Sequence, residues 1–261
     1  MSSLYPQVLQ SYLDIFLVFV RLLGFFVLVP VFSHQTISPH IKLAVALSLS
    51  LVIYPLVRPF LGGVPLSTGG MIASVLRETV IGFLMGFVAY VTFEGINLSA
   101  QFVGVQMGLG TAGLMDPQNH SNVSVWVPIH SWLALMVFLL TDMHHTMIGL
   151  FVSSFELTKT VELSSFGGQP LLNAFVATST KLFVIAVQMA APFTFLILGM
   201  NVVMGMLSRL MPQMNMMLFS FSLTILLGFG GLYLVAPELI DYFENHFSEF
   251  GSEVVGILRT L

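Results

Sequence analysis

Cysteine is absent from this 261-residue chain, and charged side chains are scarce. Without cysteine the chain has no disulfide, no thiol chemistry and no cysteine-ligated metal. Lys and Arg number 8 and Asp and Glu number 12, whereas a soluble domain of this length carries about 65 charged residues. The formal net charge is −4, and no run of basic residues is present, which argues against nucleic-acid binding.

Apolar residues fill the place of the missing charges. They make up 56% of the chain, and the mean hydropathy is +0.95, which excludes a soluble globular protein. A helix crosses a bilayer with about 20 apolar residues, and six candidate segments lie at about 12–32, 41–61, 72–96, 123–141, 173–209 and 213–236. A membrane β-barrel requires short alternating strands, and continuous apolar runs such as Phe219–Leu227 do not alternate.

The predicted fold is therefore an all-α integral membrane protein with about six long hydrophobic helices and a C-terminal amphipathic helix. We expect residues 1–261 to form a single membrane-embedded domain. Segment 173–209 is longer than one crossing requires, so it is interpreted either as two half-helices around Pro192 or as one long tilted helix.

The C-terminal segment, 238–261, has the pattern of an acidic amphipathic helix. An apolar stripe recurs at helical spacing, and its members are Leu239, Phe243, Phe247, Phe250, Val254 and Leu258. The opposite face is acidic and would be repelled by anionic lipid. Docking against a protein partner is the favoured interpretation, and folding back on the chain's own helices is the alternative.

The third hydrophobic segment contains a charged residue and two glycines on one helix face. Glu78, Gly82 and Gly86 follow one another at steps of four residues, and Arg77 precedes them. A charge inside a bilayer is costly, so such a residue faces protein or water. Glu78 is interpreted as a structural carboxylate paired across helices, with glycines that allow close backbone approach, or alternatively as a proton-coupling group.

The glycine-rich stretch Gly104–Gln118 has four glycines before a helix-ending Asp116-Pro117. Glycine at this density weakens a helix and permits irregular backbone. Irregular backbone at membrane depth is tolerated only where it is buried in protein or lines an aqueous cavity. The stretch is therefore our candidate for a pore-facing loop or gate, with a plain surface connection as the alternative.

Methionine is concentrated near a polar break between two apolar runs. Seven of the 16 methionines fall within 18 residues: Met200, Met204, Met206, Met211, Met214, Met216 and Met217. Thioether side chains adapt to irregular surfaces, so they are interpreted as a seal or, equally, as lipid-facing filler. Arg209 is placed to cap the preceding helix, and Pro212 prevents simple continuation.

No constellation for covalent catalysis is recognised. The adjacent pair His144-His145 does not have the spacing of an intramembrane zinc protease, and no phosphate-binding loop or nucleophile elbow occurs. We therefore predict neither an enzyme, nor a metal site, nor a cofactor.

The chain resembles the FliR family, the flagellar type III export-gate component whose injectisome relatives are called SctT. The most specific matches are Gln106-Met107-Gly108, Asp116-Pro117, Ser208-Arg209 and the run Pro212-Gln213-Met214-Asn215, with Phe219 and Phe221 beyond; Arg21 and the Glu78, Gly82, Gly86 series are weaker matches. The family often has asparagine at the position of Ser208 and proline at that of Ser222.

The resemblance implies a helical export gate assembled with FliP and FliQ homologues and an FlhB homologue, in the bacterial inner membrane within the flagellar basal body. The family's plug loop maps by position onto residues 106–122. The implied plug or gate residues are Gln106, Met107, Gly108, Gly110, Gly113, Met115, Asp116 and Pro117. Assembly or sealing would involve Met204, Arg209, Pro212, Gln213, Met214 and Asn215, and helix packing or coupling Arg21, Glu78, Gly82 and Gly86.

The resulting hypothesis is a structural channel subunit that helps form and close the conduit for unfolded flagellar proteins. The alternative is an ion-coupled secondary transporter, for which Glu78 and Lys181 are the candidate charges. That class usually carries internal repeats, and none is visible in the chain.

Overall fold

A computed structural model of the chain describes residues 4–29, 38–109, 125–161, 166–211, 213, 216–259 and 261, and the side chains of 4–7 and 216–218 are not part of that description. Within these ranges all regular structure is helical. The helices are α1 (Leu4–Leu28), α2 (Pro39–Val57), α3 (Thr68–Gln106), α4 (Trp126–Leu140), α5 (Met143–Leu157), α6 (Gln169–Leu210) and α7 (Met216–Arg259), with a 3-10 turn at Arg58–Phe60.

The lengths and composition of these helices make the chain a polytopic membrane protein. Among the described residues five helices are long and apolar enough to cross a bilayer, and a sixth span is added if α4 and α5 count together. The predicted class, an all-α integral membrane protein with about six long apolar helices, is confirmed.

The chain divides into two compact units. The first comprises the described residues of Met1–Val91, Asp142–Ser179 and Phe247–Leu261, and the second those of Thr92–Thr141 and Thr180–His246. In the first unit α1 packs against α2, and α2 also contacts α5. In the second unit the core contains the Phe93–Phe138 ring pair and the buried indole of Trp126.

Helix α5 is an element that hydropathy did not predict. The segment expected at 123–141 ends as α4 at Leu140, and α5 begins at Met143 after a break in which Asp142 has φ of 54°. The left-handed conformation is uncommon outside glycine, and it interrupts the helix here. The two histidines and two serines of α5 lowered its apolar signal below that of a span.

The two C-terminal helices are longer than predicted because proline does not interrupt them. Helix α6 is one helix of 42 residues through Pro192, so the single-helix interpretation is correct and the half-helix interpretation is wrong. Helix α7 continues through Pro237, so the predicted segment at 213–236 and the tail form one helix. Membrane helices tolerate proline where neighbouring groups satisfy the freed backbone.

The apolar stripe of the tail is buried within the chain itself. All six of its members are at most 5% exposed, and Gly251 of the tail lies beside Leu150 of α5. The expectation that this stripe docks on a partner is therefore wrong, and the fold-back alternative is correct. Burying apolar area against the chain's own helices leaves the stripe unavailable to another protein.

Candidate functional site

A buried ion pair joins Arg21 of α1 and Glu78 of α3 in the first unit. Arg21 Nε donates to Glu78 Oε2 at 2.5 Å, and the side chains are 2% and 0% exposed. Arg77 donates to the other carboxylate oxygen, Oε1, from Nη2 at 2.8 Å and from Nε at 3.1 Å. A buried charge without a partner is costly, and here both oxygens of the carboxylate face guanidinium groups.

Two hydroxyl groups, one in α5 and one directly after it, accept hydrogen bonds from the Arg21 guanidinium. Nη1 donates to Ser154 Oγ at 2.8 Å, and Nη2 donates to Thr158 Oγ1 at 3.1 Å. Each hydroxyl in turn donates to a carbonyl of its own helix, Ser154 to Phe151 and Thr158 to Ser154. Every hydroxyl thus accepts one hydrogen bond and donates another, so the network is consistent in its donors and acceptors.

The planar face of the Arg21 guanidinium lies over the Phe155 ring. Its guanidinium carbon lies 3.7 Å from the centroid of the Phe155 ring, a geometry that adds a cation–π attraction to the hydrogen bonds. Helices α1, α3 and α5 are therefore tied together through one arginine.

Glycine allows α1 and α3 to approach closely enough for this ion pair. A β-carbon at Gly82 would collide with the carbonyl oxygen of Arg21, and one at Gly86 would lie 2.7 Å from that of Phe25. On α1, a β-carbon at Gly24 would lie 2.7 Å from the carbonyl oxygen of Thr79. The structure thus brings Arg21, Glu78, Gly82 and Gly86 together at a single helix contact, as membrane helices with small residues pack.

In the second unit, the start of the glycine-rich stretch is anchored on α6 and α7. Gln106 Nε2 donates to Thr194 Oγ1 at 3.1 Å. Met107 is 1% exposed, its carbonyl lies 3.4 Å from Thr224 Oγ1, and its sulfur lies over Gly228, where a β-carbon would be 2.5 Å from it. The end of α3 is thereby fixed to both helices.

Gly108 has a conformation that favours glycine. Its φ is 76°, and a β-carbon there would lie 3.0 Å from the Phe221 ring. Both the left-handed backbone and the close ring disfavour any side chain at this position. Gly108 therefore turns the chain just after α3, next to the Phe221 ring of α7.

Trp126, the first residue of α4, contacts the same two helices beyond the glycine-rich stretch. Its side chain is 0% exposed, and its ring meets Phe193 of α6 and Phe229 of α7 edge-on at centroid distances of 5.7 and 5.2 Å. Phe193 and Phe229 directly adjoin Thr194 and Gly228, the residues that anchor the start of the stretch. Residues 109–125 are therefore bracketed by two anchors on the same two helices.

The other predicted site residues lie apart from these anchors or outside the described residues. The latter group is Gly110, Gly113, Met115, Asp116, Pro117, Pro212, Met214 and Asn215. Met204 is buried, whereas Met206 and Met211 are 65% and 51% exposed. Arg209 lies in the last turn of α6, and Gln213 is exposed.

Several residues that contact the ion pair or anchor the chain around the glycine-rich stretch were not predicted from the sequence. Ser154 and Thr158 form a hydroxyl pair four residues apart in an apolar segment, which is a pattern that signals an interhelical polar contact. Trp126 is one of only two tryptophans, and it lies eight residues beyond the end of the glycine-rich stretch at Gln118. Neither signal identifies the partner, because each partner lies far away in the sequence.

The histidine pair lies at the start of α5 next to Asp142. One ligand atom from each of Asp142, His144 and His145 lies within 4.8 Å of the other two, and these side chains are 75%, 38% and 73% exposed. Such exposed groups are common on protein surfaces, and we assign no metal to them.

Apolar spans and a buried interhelical ion pair define a polytopic helical membrane protein. Residues 12–250 match the family described as "Bacterial export proteins, family 1". The chain is 28% identical over 245 residues to the flagellar biosynthetic protein FliR of Escherichia coli, covering 92% of this chain and 91% of that protein.

Two further relatives carry the same name. The protein of Caulobacter vibrioides is 28% identical over 236 residues (89% of this chain and 92% of the relative), and that of Bacillus subtilis is 24% identical over 246 residues (92% and 94%). The chain belongs to the FliR family of bacterial export proteins, and it is a membrane-embedded component of a flagellar export apparatus.

Proposed function

We propose that the chain is a structural channel subunit of the flagellar type III export gate in the bacterial inner membrane, within the basal body. It helps form the conduit for unfolded flagellar proteins and helps close it. The whole chain, 1–261, acts as one export-gate domain.

The anchoring of the glycine-rich stretch carries this proposal. Met107 and Trp126, on either side of residues 109–125, pack against adjacent residues of α7, Gly228 and Phe229. Fixing both ends limits how far the segment between them can move, which suits a plug. Glycines within the segment permit more than one backbone path.

The unburied apolar surface of the helices supports assembly with other subunits. In the most apolar 18 residues of α2, only 22% of the residues are buried within the chain, and in those of α7 only 17% are. Such a surface is suited to lipid or to neighbouring apolar helices. We propose that homologues of FliP and FliQ cover much of it and that an FlhB homologue joins the assembly.

Gating in this proposal involves movement and no covalent chemistry. In the closed state the segment after Gly108 seals the conduit together with adaptable methionines. Opening shifts the segment between two packings while the anchors at Met107 and Trp126 hold. Other components supply the energy, with the proton gradient as its source.

Deleting Gly110–Asp116 tests the plug. In cells that express the complete gate, the deletion should raise the leakage of small ions while the subunits still co-purify. Tight membranes in cells with a fully assembled deletion gate would refute the plug.

Purification in mild detergent tests the subunit role separately. The full chain should elute as a large hetero-oligomer with other small membrane proteins, among them FliP and FliQ homologues. A stable monomer that transports a solute by itself would favour the ion-coupled transporter instead.

A further inference from the structure

His130 of α4 is a buried histidine that the proposed function does not use. Its side chain is 2% exposed and lies in the second unit, one helical turn beyond Trp126. The centroid of its ring lies 4.8 Å from that of the Trp126 ring and 6.2 Å from that of the Phe193 ring of α6. The imidazole therefore belongs to the aromatic cluster of Trp126, Phe193 and Phe229, which anchors the chain beyond the glycine-rich stretch.

The hydrogen bonding of His130 determines which ring nitrogen can take up a proton. Nδ1 lies 3.1 Å from the carbonyl oxygen of Trp126. Because a carbonyl oxygen only accepts, Nδ1 donates this bond, and Nε2 is the basic nitrogen of the neutral ring. Within the described ranges Nε2 has no hydrogen-bond partner. A proton on Nε2 would therefore create a charged N–H group without a protein acceptor.

The helices of the aromatic cluster supply no counterion for an imidazolium. His130 is the one titratable residue of α4, and residues 182–208 of α6 and 216–232 of α7 contain none. A buried charge without a partner is costly. The buried cluster therefore favours the neutral ring.

The acidic residue that α3 contributes to the second unit approaches α4 at a different position. This residue, Glu94, accepts from Asn97 Nδ2 at 3.4 Å, and Asn97 Oδ1 accepts from Ser131 Oγ at 2.6 Å. Ser131 lies about 100° around α4 from His130. Among the described residues no carboxylate forms an ion pair with His130, so Glu94 does not offset a proton on the imidazole.

We propose that His130 makes the Trp126 anchor sensitive to pH. The neutral imidazole packs in the cluster, whereas a proton on Nε2 favours a state in which the imidazole and the adjoining indole leave it for water. Imidazole in water titrates at about pH 6.5. Because the released state binds the proton and the buried state does not, the ratio of released to buried Trp126 should rise up to about tenfold for each pH unit below that value. The buried anchor is favoured above this pH and is lost as the pH falls.

The consequence for the gate rests on the proposed function. In that proposal the anchor at Trp126 holds while residues 109–125 move between two packings. A proton on His130 would release one of the two anchors, so acid should weaken the closure of the conduit.

Tryptophan fluorescence of the purified full-length chain in detergent tests the anchor itself. Trp132→Phe leaves Trp126 as the one tryptophan, and Trp132 is 67% exposed, so it is not part of the core. Trp126 should emit at the short wavelength of a buried indole at about pH 8, and at a longer wavelength, with stronger quenching by acrylamide, at about pH 5. Emission that stays at the short wavelength, or that only dims because an imidazolium is held beside the indole, would overturn the proposal.

Three substitutions in the Trp132→Phe chain assign the shift to one histidine. His130→Gln keeps a donor for the Trp126 carbonyl, and His130→Phe keeps an aromatic ring. Neither new side chain titrates, so both variants should retain the buried emission at both pH values. His145→Gln removes a histidine that is 73% exposed in the first unit, and it should leave the shift unchanged. A full shift in either His130 variant, or its loss in His145→Gln, would overturn the assignment.

Ion flux through the purified hetero-oligomeric gate in proteoliposomes tests the consequence separately. Gates with the native chain should leak more at about pH 5 than at about pH 8, and gates with His130→Phe should leak equally at both. A native gate that stays tight in acid although Trp126 is released would refute the plug and leave the pH-sensitive anchor standing. Fluorescence without a shift would refute the anchor whatever the flux.

Discussion

The sulfur of Met107 occupies the space over Gly228. A β-carbon at Gly228 would lie 2.5 Å from this sulfur, and Met107 itself is 1% exposed. The end of α3 therefore depends on a missing side chain in α7. Because Met107 immediately precedes the turn at Gly108, this contact sets where the glycine-rich stretch begins.

Gly228→Ala should displace Met107 and loosen the gate. The methionine side chain is flexible and can move, so we expect the stability to change by no more than about 1 kcal/mol, the cost of moving it being offset by the better helix propensity of alanine. Ion leakage through the assembled gate should rise.

Gly230→Ala is the control for this prediction, because nothing lies within 4 Å of a β-carbon at that position. The two variants make the same chemical change two residues apart in one helix. Equal leakage through both gates would count against a role for the Met107 contact in closure.

Gly82→Ala should disrupt the contact between α1 and α3. The added methyl group meets the backbone carbonyl of Arg21, which cannot move aside as a side chain can. We expect a loss of about 3 kcal/mol in stability, measured by thermal unfolding in detergent. Gly69→Ala in the same helix meets nothing within 4 Å and should be neutral or stabilising; similar melting of both variants would show that the helices do not approach in this way.

Glu78→Gln should be strongly destabilising because it leaves the buried Arg21 charge without its counterion. Removing one partner of a buried pair costs about 3–5 kcal/mol, which unfolding in detergent would register. Glu244→Gln, on an exposed part of α7, removes a carboxylate with no such burial and should change the stability by less than about 0.5 kcal/mol.

The double variant Arg21→Met, Glu78→Gln separates packing from proton coupling. Replacing both buried charges removes the penalty that either single change incurs, so stability should recover relative to Glu78→Gln. Motility in a strain lacking the native chain should recover with it. A stable double variant that supports no export would instead assign a functional role to the Arg21–Glu78 pair beyond packing.

The scarcity of charge and the long apolar runs were sufficient to predict the membrane fold, because the bilayer imposes helix length directly. The four-residue spacing of Glu78, Gly82 and Gly86 likewise predicted one face for a close helix contact. The pairing of Glu78 with Arg21 could not be predicted from the spacing, because Arg21 lies 57 residues away and only tertiary packing joins the two.

The failed expectations have physical causes as well. Helix α5 carries several polar residues, of which only Ser154 is buried, and these residues lower its hydropathy. The stripe of the tail has the same pattern whether it packs on a partner or on its own chain. Periodicity reports that a face is covered and does not identify what covers it.

The most direct test of the account is ion flux through the purified hetero-oligomeric gate in proteoliposomes. Gates with the intact chain should hold an ion gradient, and gates with Gly110–Asp116 deleted should dissipate it rapidly at equal subunit content. If both hold the gradient equally well, the glycine-rich stretch does not close the conduit.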